Sequence, residues 1–481
     1  MRFSYAVAAF GVVQLLVFAC IARHIPFYGD EVWYFDKSKL IAPLVLNVVR
    51  FDFDGAGKVL DAIIGRGWFM PGMSIVVFPV TFFTDSAAMI RLYLGALNFA
   101  AVVTILAYLR KEYGGRGPWI YLLCCLAVPY YLVYSFALWG DLFAAHLLLC
   151  LLLLVFHRRN DSRSPGLTLG LAVGVALGMI TMVRGFYWMF APLFVAIFVL
   201  RTPARETPSV RLRLAAAPSG AMFLALAVVL APWTVAITQR AGFHMTTTSS
   251  TLSRIVLLGS DEYFRAIKGR TPCGPDGSQP PRDISSLDNY VRCTAFRERR
   301  TFAEHSRSEL ALATAGVPYA YMVSRVTANV RKFVFDSERF LTIFARVSSS
   351  STGLPPSEWR QALLETLMKW NYWGWRALLT IGILLFLSPM APTPGNLLLS
   401  TIYKYSVVIY SAHPFMVDAH GRYYVEYIPL IAAATAAFAR TPKPLFAWQH
   451  PNDSLQWLVL VGQAIALLVA PALAIAYFAA M

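Results

Sequence analysis

Long apolar runs separated by short polar breaks recur along the chain. They lie at Ser4–Ala22, Phe69–Phe83, Ala87–Leu109, 117–136, 142–156, 166–183, 186–200, 215–237, 373–389, 396–412, 424–439 and 455–479. Most approach the roughly 20 residues that an α-helix needs to cross a hydrocarbon layer. The pattern therefore predicts apolar helices. The Phe69–Phe83 run differs, since it carries Pro71, Gly72 and Pro79 and at about 15 residues is short for a span. It is predicted to lie on, or dip into, one membrane face.

Basic residues set a direction for these helices. Clusters at 110–116, 157–163, 201–213 and 440–443 should face the cytoplasm, because Lys and Arg are retained on that side. With Arg2 also inside, an even number of crossings must separate it from Arg110, so one of the first three runs cannot cross. The short Phe69–Phe83 run is the one excluded. Alternation then gives about eleven crossings and an all-α polytopic membrane protein with surface helices. Residues 1–237 form an N-terminal transmembrane module that includes an outer loop over 24–86. Residues 238–372 form an outer loop or small domain, and 373–481 hold the C-terminal helices. Bulky Phe18 before Cys20 argues for a retained first helix rather than a cleaved leader.

Composition narrows the class further. Hydrophobic residues make up 57% of the chain and charged residues 14%, with a mean hydropathy of +0.56, which excludes an ordinary soluble domain. The net charge of +16 implies acidic partners, and in a membrane these are phosphate-bearing lipids rather than nucleic acid. Residues 240–346 carry 16 Lys/Arg against 10 Asp/Glu, so this part of the outer segment suits an anionic membrane surface. Within it, 271–281 (TPCGPDGSQPP) reads as an irregular loop and 319–335 as an interfacial helix. Cys20, Cys124, Cys125 and Cys150 sit in apolar runs as small core residues. Cys273 and Cys293 are placed in an oxidising compartment, where a bridge would close a loop of about 20 residues.

Ionisable residues gather outside the cytoplasm in this topology. Asp30–Glu31, with Tyr34 following, lies just after the first span in HIPFYGDEVWYFD. Paired carboxylates at a water–lipid boundary are costly unless their charge is used, although Asp before an apolar helix is also an ordinary cap. Asp141 in SFALWGDLF opens the 142–156 run and has the same alternative. Arg66 and Arg184 flank other runs, where each could reach headgroups. Arg422 lies in HPFMVDAHGRYYVEY, crowded by His413, Asp418, His420 and Glu426. Walker-type phosphate loops, HExxH and Gly-x-Ser-x-Gly are absent, which argues against nucleotide-sugar use.

Taken in order along the chain, these motifs resemble those of the polyprenyl-phosphate-sugar-dependent glycosyltransferases of the GT-C type, the group that includes protein O-mannosyltransferases and lipid A aminoarabinose transferases. The matching text is DEVWY at Asp30–Tyr34, GRGWFMPG at 65–72, Arg91 in DSAAMIRLYLGALN, Asp141, the helix ending at Arg184, Pro232–Thr234 and Arg422–Tyr423. It covers roughly residues 1–250 and 400–440. Two departures are Met70–Pro71–Gly72, where relatives carry two prolines and a Leu, and Val235–Ile237, where they carry Arg-Asn.

The resemblance implies an inverting single displacement at the outer face of a bacterial inner membrane. The donor would be a polyprenyl-phosphate sugar and the acceptor an envelope glycan or lipid. Such chemistry needs a base for the acceptor's proton and cations for the departing phosphate. Asp30 is the candidate base, with Glu31 and Asp141 as further catalytic carboxylates or ligands of a divalent Mg²⁺ or Mn²⁺. Tyr34, Arg66, Arg184, His420, Arg422 and Tyr423 are the candidate donor-binding residues, guanidinium being suited to paired contacts with phosphate. The rival reading is a transporter or flippase of a lipid-linked or anionic substrate, which would place its ionisable groups at mid-membrane.

Overall fold

A computed structural model describes residues 3–65, 70–157, 165–201, 207–241, 358–387, 402–411 and 423–439, with a few isolated positions between 327 and 334. Among these residues the structure is helical and no strand forms. In chain order the helices are α1 (Phe3–Cys20), α2 (Asp30–Val49), α3 (Phe53–Gly65), α4 (Gly72–Thr81), α5 (Ala87–Tyr113), α6 (Arg116–Leu126) and α7 (Pro129–Tyr134). They continue with α8 (Asp141–His157), α9 (Leu167–Val183), α10 (Ala191–Arg201), α11 (Pro208–Ala241), α12 (Glu358–Leu387), α13 (402–411) and α14 (Tyr427–Phe438). Short 3-10 turns at Ala22–His24, Gly185–Phe190 and Tyr423–Glu426 join them.

Phe3–His24, Ala87–Tyr113 and Ser209–Ile237 are each long and apolar enough to cross a membrane. Shorter apolar helices accompany them at Gly72–Thr81, Asp141–Val155, Leu167–Val183 and Gly185–Arg201. The 117–136 run, expected as one helix, is divided. Pro129 opens α7, and a prolyl ring cannot donate the hydrogen bond that would continue α6. The 69–83 run forms only the ten residues of α4, about 15 Å of rise against a hydrocarbon layer of about 30 Å. Since Arg91 near the start of α5 donates to the Ile25 carbonyl just after α1, α5 begins at the end where α1 finishes. The segment between α1 and α5 therefore returns to the end of the bundle it left. Ser86 starts α5, its hydroxyl accepting from the Met89 amide.

Packing in the bundle rests on small residues and buried polar links. Gly170, Gly174 and Gly178 recur every fourth residue on α9, and a Cβ at these positions would meet Pro218, Met222 and Val229 of α11. A stripe of glycines lets two apolar helices approach at backbone distance. Farther along, Asn98 donates to the Ser135 carbonyl at 2.8 Å and accepts from His146 Nδ1 at 2.8 Å, while His146 Nε2 meets the Tyr131 hydroxyl at 2.9 Å. Gln14 of α1 donates to the Ser135 hydroxyl. These links pin α1, α5 and α8 to the 131–135 segment. At the other side of α7, Asn371 of α12 accepts from the Tyr130 amide and donates to the Tyr424 hydroxyl, and Trp375 stacks on Tyr424 at 4.6 Å.

Of the segment 238–372, residues 242–357 lie outside the described residues apart from the isolated positions, as do Cys273, Cys293 and the 455–479 run.

Candidate functional site

Two helix starts meet at the end of the bundle reached by α1. Gly29 precedes α2 with φ of 59°, a left-handed value that costs glycine little. It turns the chain so that Asp30 and Glu31 occupy the first turn of α2, where the helix dipole favours negative charge. Asp141 opens α8 in the same way, after Gly140 with φ of 79°. A Cβ at Gly140 would run into Met73 and Val183, so that turn is closed tightly between α4 and α9.

Glu31 and Arg91 form the hub of this end. Both are buried, and the guanidinium meets the carboxylate through two bonds of 2.9 and 2.7 Å. The remaining Arg91 donors go to the carbonyls of Ile25, Pro26 and Phe136, so all five N–H groups of a guanidinium are used. Glu31 also accepts from the Tyr28 and Leu138 amides at 3.1 and 2.7 Å. Each of its oxygens thus has two donors, which fills the lone pairs of a carboxylate. These contacts commit both oxygens of Glu31 to holding three segments together.

The Leu138 link ties the loop entering α8 to the start of α2, and so ties Asp141 to the region of Asp30. Asp141 is buried and receives the Tyr134 hydroxyl at 2.6 Å. Arg184 Nε lies 2.7 Å from its other oxygen, close enough for an ion pair but out of line for a hydrogen bond, since that oxygen has no hydrogen-bond donor. Arg184 ends α9 and lies 5.8 Å from the Tyr423 ring centroid. Asp141, Arg184 and Tyr423 are therefore brought together. Among the described residues, no group of three His, Cys, Asp or Glu side chains could hold a metal.

Asp30 retains partial exposure beside buried Glu31. Tyr34, one turn further, is buried. Arg66, His420 and Arg422 lie outside the described residues.

Lys37 and Glu426 join the site without having been singled out as site residues in the sequence. Lys37 is fully buried, its ammonium 5.5 Å from the Trp233 ring centroid in α11. Its signal was periodicity, since Asp30, Tyr34 and Lys37 fall at i, i+4 and i+7 on one stripe of α2. Glu426 closes the 3-10 turn that carries Tyr423 and is buried. Tyr187 and Tyr410 touch through their hydroxyls at 3.5 Å.

No protein-family model matches the chain, and no curated protein or solved structure matches it either.

Proposed function

We propose that the chain is a membrane-embedded glycosyltransferase that moves a sugar from a polyprenyl phosphate to an envelope lipid or glycan. The observation that supports this reading is the joined pair of helix starts. An accessible carboxylate at Asp30 stands beside a rigid Glu31–Arg91 hub, which is tied through Leu138 to the Asp141–Arg184 pair. A base and a buried guanidinium are the two elements that single displacement at a phosphate-activated carbon requires. Asp30 takes the acceptor's proton as the hydroxyl attacks the anomeric carbon, and the glycosidic electrons leave on the lipid phosphate. Arg184, with Tyr423 beside it, neutralises that phosphate, and Asp141 keeps the guanidinium oriented. Lys37 adds a second positive charge on the Asp30 stripe.

This proposal includes the eleven-crossing topology, with the α2 and α8 starts facing the periplasm of a bacterial inner membrane. The transporter alternative asks for ionisable groups that change partners at mid-membrane. His146, buried within α8, instead has both ring nitrogens committed to Asn98 and Tyr131, and reads as a structural link. Mass spectrometry of envelope glycolipids and glycans from a strain lacking the protein tests the proposal in the cell. Loss of one sugar from a defined envelope component is expected. An unchanged sugar profile with an accumulated or mislocalised lipid-linked precursor would favour transport.

A further inference from the structure

The turn between α2 and α3 is built to present two aromatic rings. The Phe51 amide donates to Val48 and the Asp52 amide to Asn47, at 3.0 and 2.9 Å. This is the Schellman pattern, in which the residue after the C-cap is left-handed and is usually glycine. Here it is Phe51, with φ of 57°, a conformation that a bulky side chain adopts rarely and at a cost. Asp52 then caps α3, accepting from the Gly55 amide at 2.8 Å. A Cβ on Gly55 would strike Asp52 and Asn47, so the next residue that must be small is small. The glycine that would relieve the turn is absent, and a phenylalanine that is 79% exposed stands in its place. Phe53, 68% exposed, lies edge-on to it with ring centroids 6.4 Å apart.

We infer that the Phe51–Phe53 tip is a lipid anchor, inserted among the acyl chains of the bilayer that α1 and α5 can cross. The segment over 21–86 leaves and rejoins the bundle at one end, where Arg91 of α5 donates to the Ile25 carbonyl, and within it the 2.7 Å Lys39–Asp85 pair ties α2 to the residues just before α5. The tip lies more than ten residues beyond Lys39 on α2, roughly 15–18 Å away along the helix, and so stands well away from the site at the start of α2. Val45, Leu46, Val48 and Val49 extend its apolar side along the last turns of α2. Arg50 and Lys58 are exposed beside it, placed for phosphate headgroups. A second copy of the chain is the weaker occupant. Arg50 and Lys58 flank the tip, and a second copy of a chain with net charge +16 would repel them where anionic headgroups would not. Insertion would hold the start of α2, and Asp30 with it, at a set depth below the headgroups.

Benzoylphenylalanine placed at position 51 or 53, in protein reconstituted into phosphatidylglycerol–phosphatidylethanolamine nanodiscs, tests this directly. Illumination should attach phospholipid at both positions, read as the added mass of an intact lipid. Crosslinks to a second chain, or no lipid adduct at either position in protein with a wild-type elution profile, would overturn the inference. Phe51→Gly supplies a check on the turn. Because it relieves a left-handed phenylalanine whose ring meets lipid rather than protein, the melting midpoint in detergent should stay the same or rise. A fall would show that the ring packs within the protein, and would also overturn it.

Discussion

Asp30 and Glu31 are neighbours in sequence, yet Glu31 is sealed against Arg91 while Asp30 keeps access to water. Substitutions should separate the two sharply. Asp30→Asn is expected to leave the protein folded and to lower turnover by about a hundredfold or more, the scale of a lost general base. Arg91→Ala should leave a buried carboxylate uncompensated and destabilise the protein by about 3–5 kcal/mol, seen as a fall in melting temperature in detergent whatever the substrate. An Arg91→Ala protein as stable as wild type would remove the hub from the account. Arg184 makes a finer case. Arg184→Lys keeps the charge but loses the planar donors, so donor use should fall while Asp141 keeps an ionic partner, with Arg184→Ala the more damaging. Equal donor kinetics in all three proteins would exclude Arg184 from the phosphate. At this scale the sequence carried the identities of the acids but not their partners. Arg91 lies 60 residues from Glu31, and a pairing at that separation leaves no local periodicity to read.

Helices were legible where their apolar pattern was long and uninterrupted. α1, α5 and α9 correspond closely to the runs read from the sequence, and α11 contains the 215–237 run but extends beyond it at both ends. Breaks were harder, because proline acts on direction as well as length. Pro129 divided one expected helix, whereas Pro43 and Pro79 remain inside α2 and α4. α2 and α3 could not be placed from apolarity alone, since both lie in a mixed segment. The α9 glycines carried a packing signal that periodicity analysis for spans passes over. Gly174→Leu should force α9 away from Met222 of α11, with overpacking of about 1–3 kcal/mol or more. The expected readout is a lower melting temperature and a broadened elution profile. The same change at Gly166, where a Cβ would meet nothing within 4 Å, should have little effect on packing.

For the whole molecule, the face on which the acids gather decides the chemistry open to them. The structure joins the end of α1 to the start of α5 and ties the starts of α2 and α8 together, which places the candidate site at one end of the bundle. A maleimide reagent on a cysteine introduced at Ser86 should react from the periplasmic side of intact cells. Reaction from the cytoplasm alone would invert the topology and remove the donor from reach. Hydropathy and the low share of charged residues pointed to the membrane class at once, since both are sums over the chain. The site needed coordinates, because it is assembled from helix ends drawn from distant parts of the sequence.

Release of polyprenyl phosphate from a polyprenyl-phosphate sugar by purified protein in lipid nanodiscs, with an envelope lipid extract as acceptor, decides whether the protein is the proposed glycosyltransferase. The wild type should release polyprenyl phosphate in step with sugar appearing on the acceptor. Asp30→Asn, at the same amount of folded protein, should do so at least about a hundredfold more slowly. Equal rates in the two proteins, or donor carried intact across the bilayer without cleavage by the wild type, would contradict it.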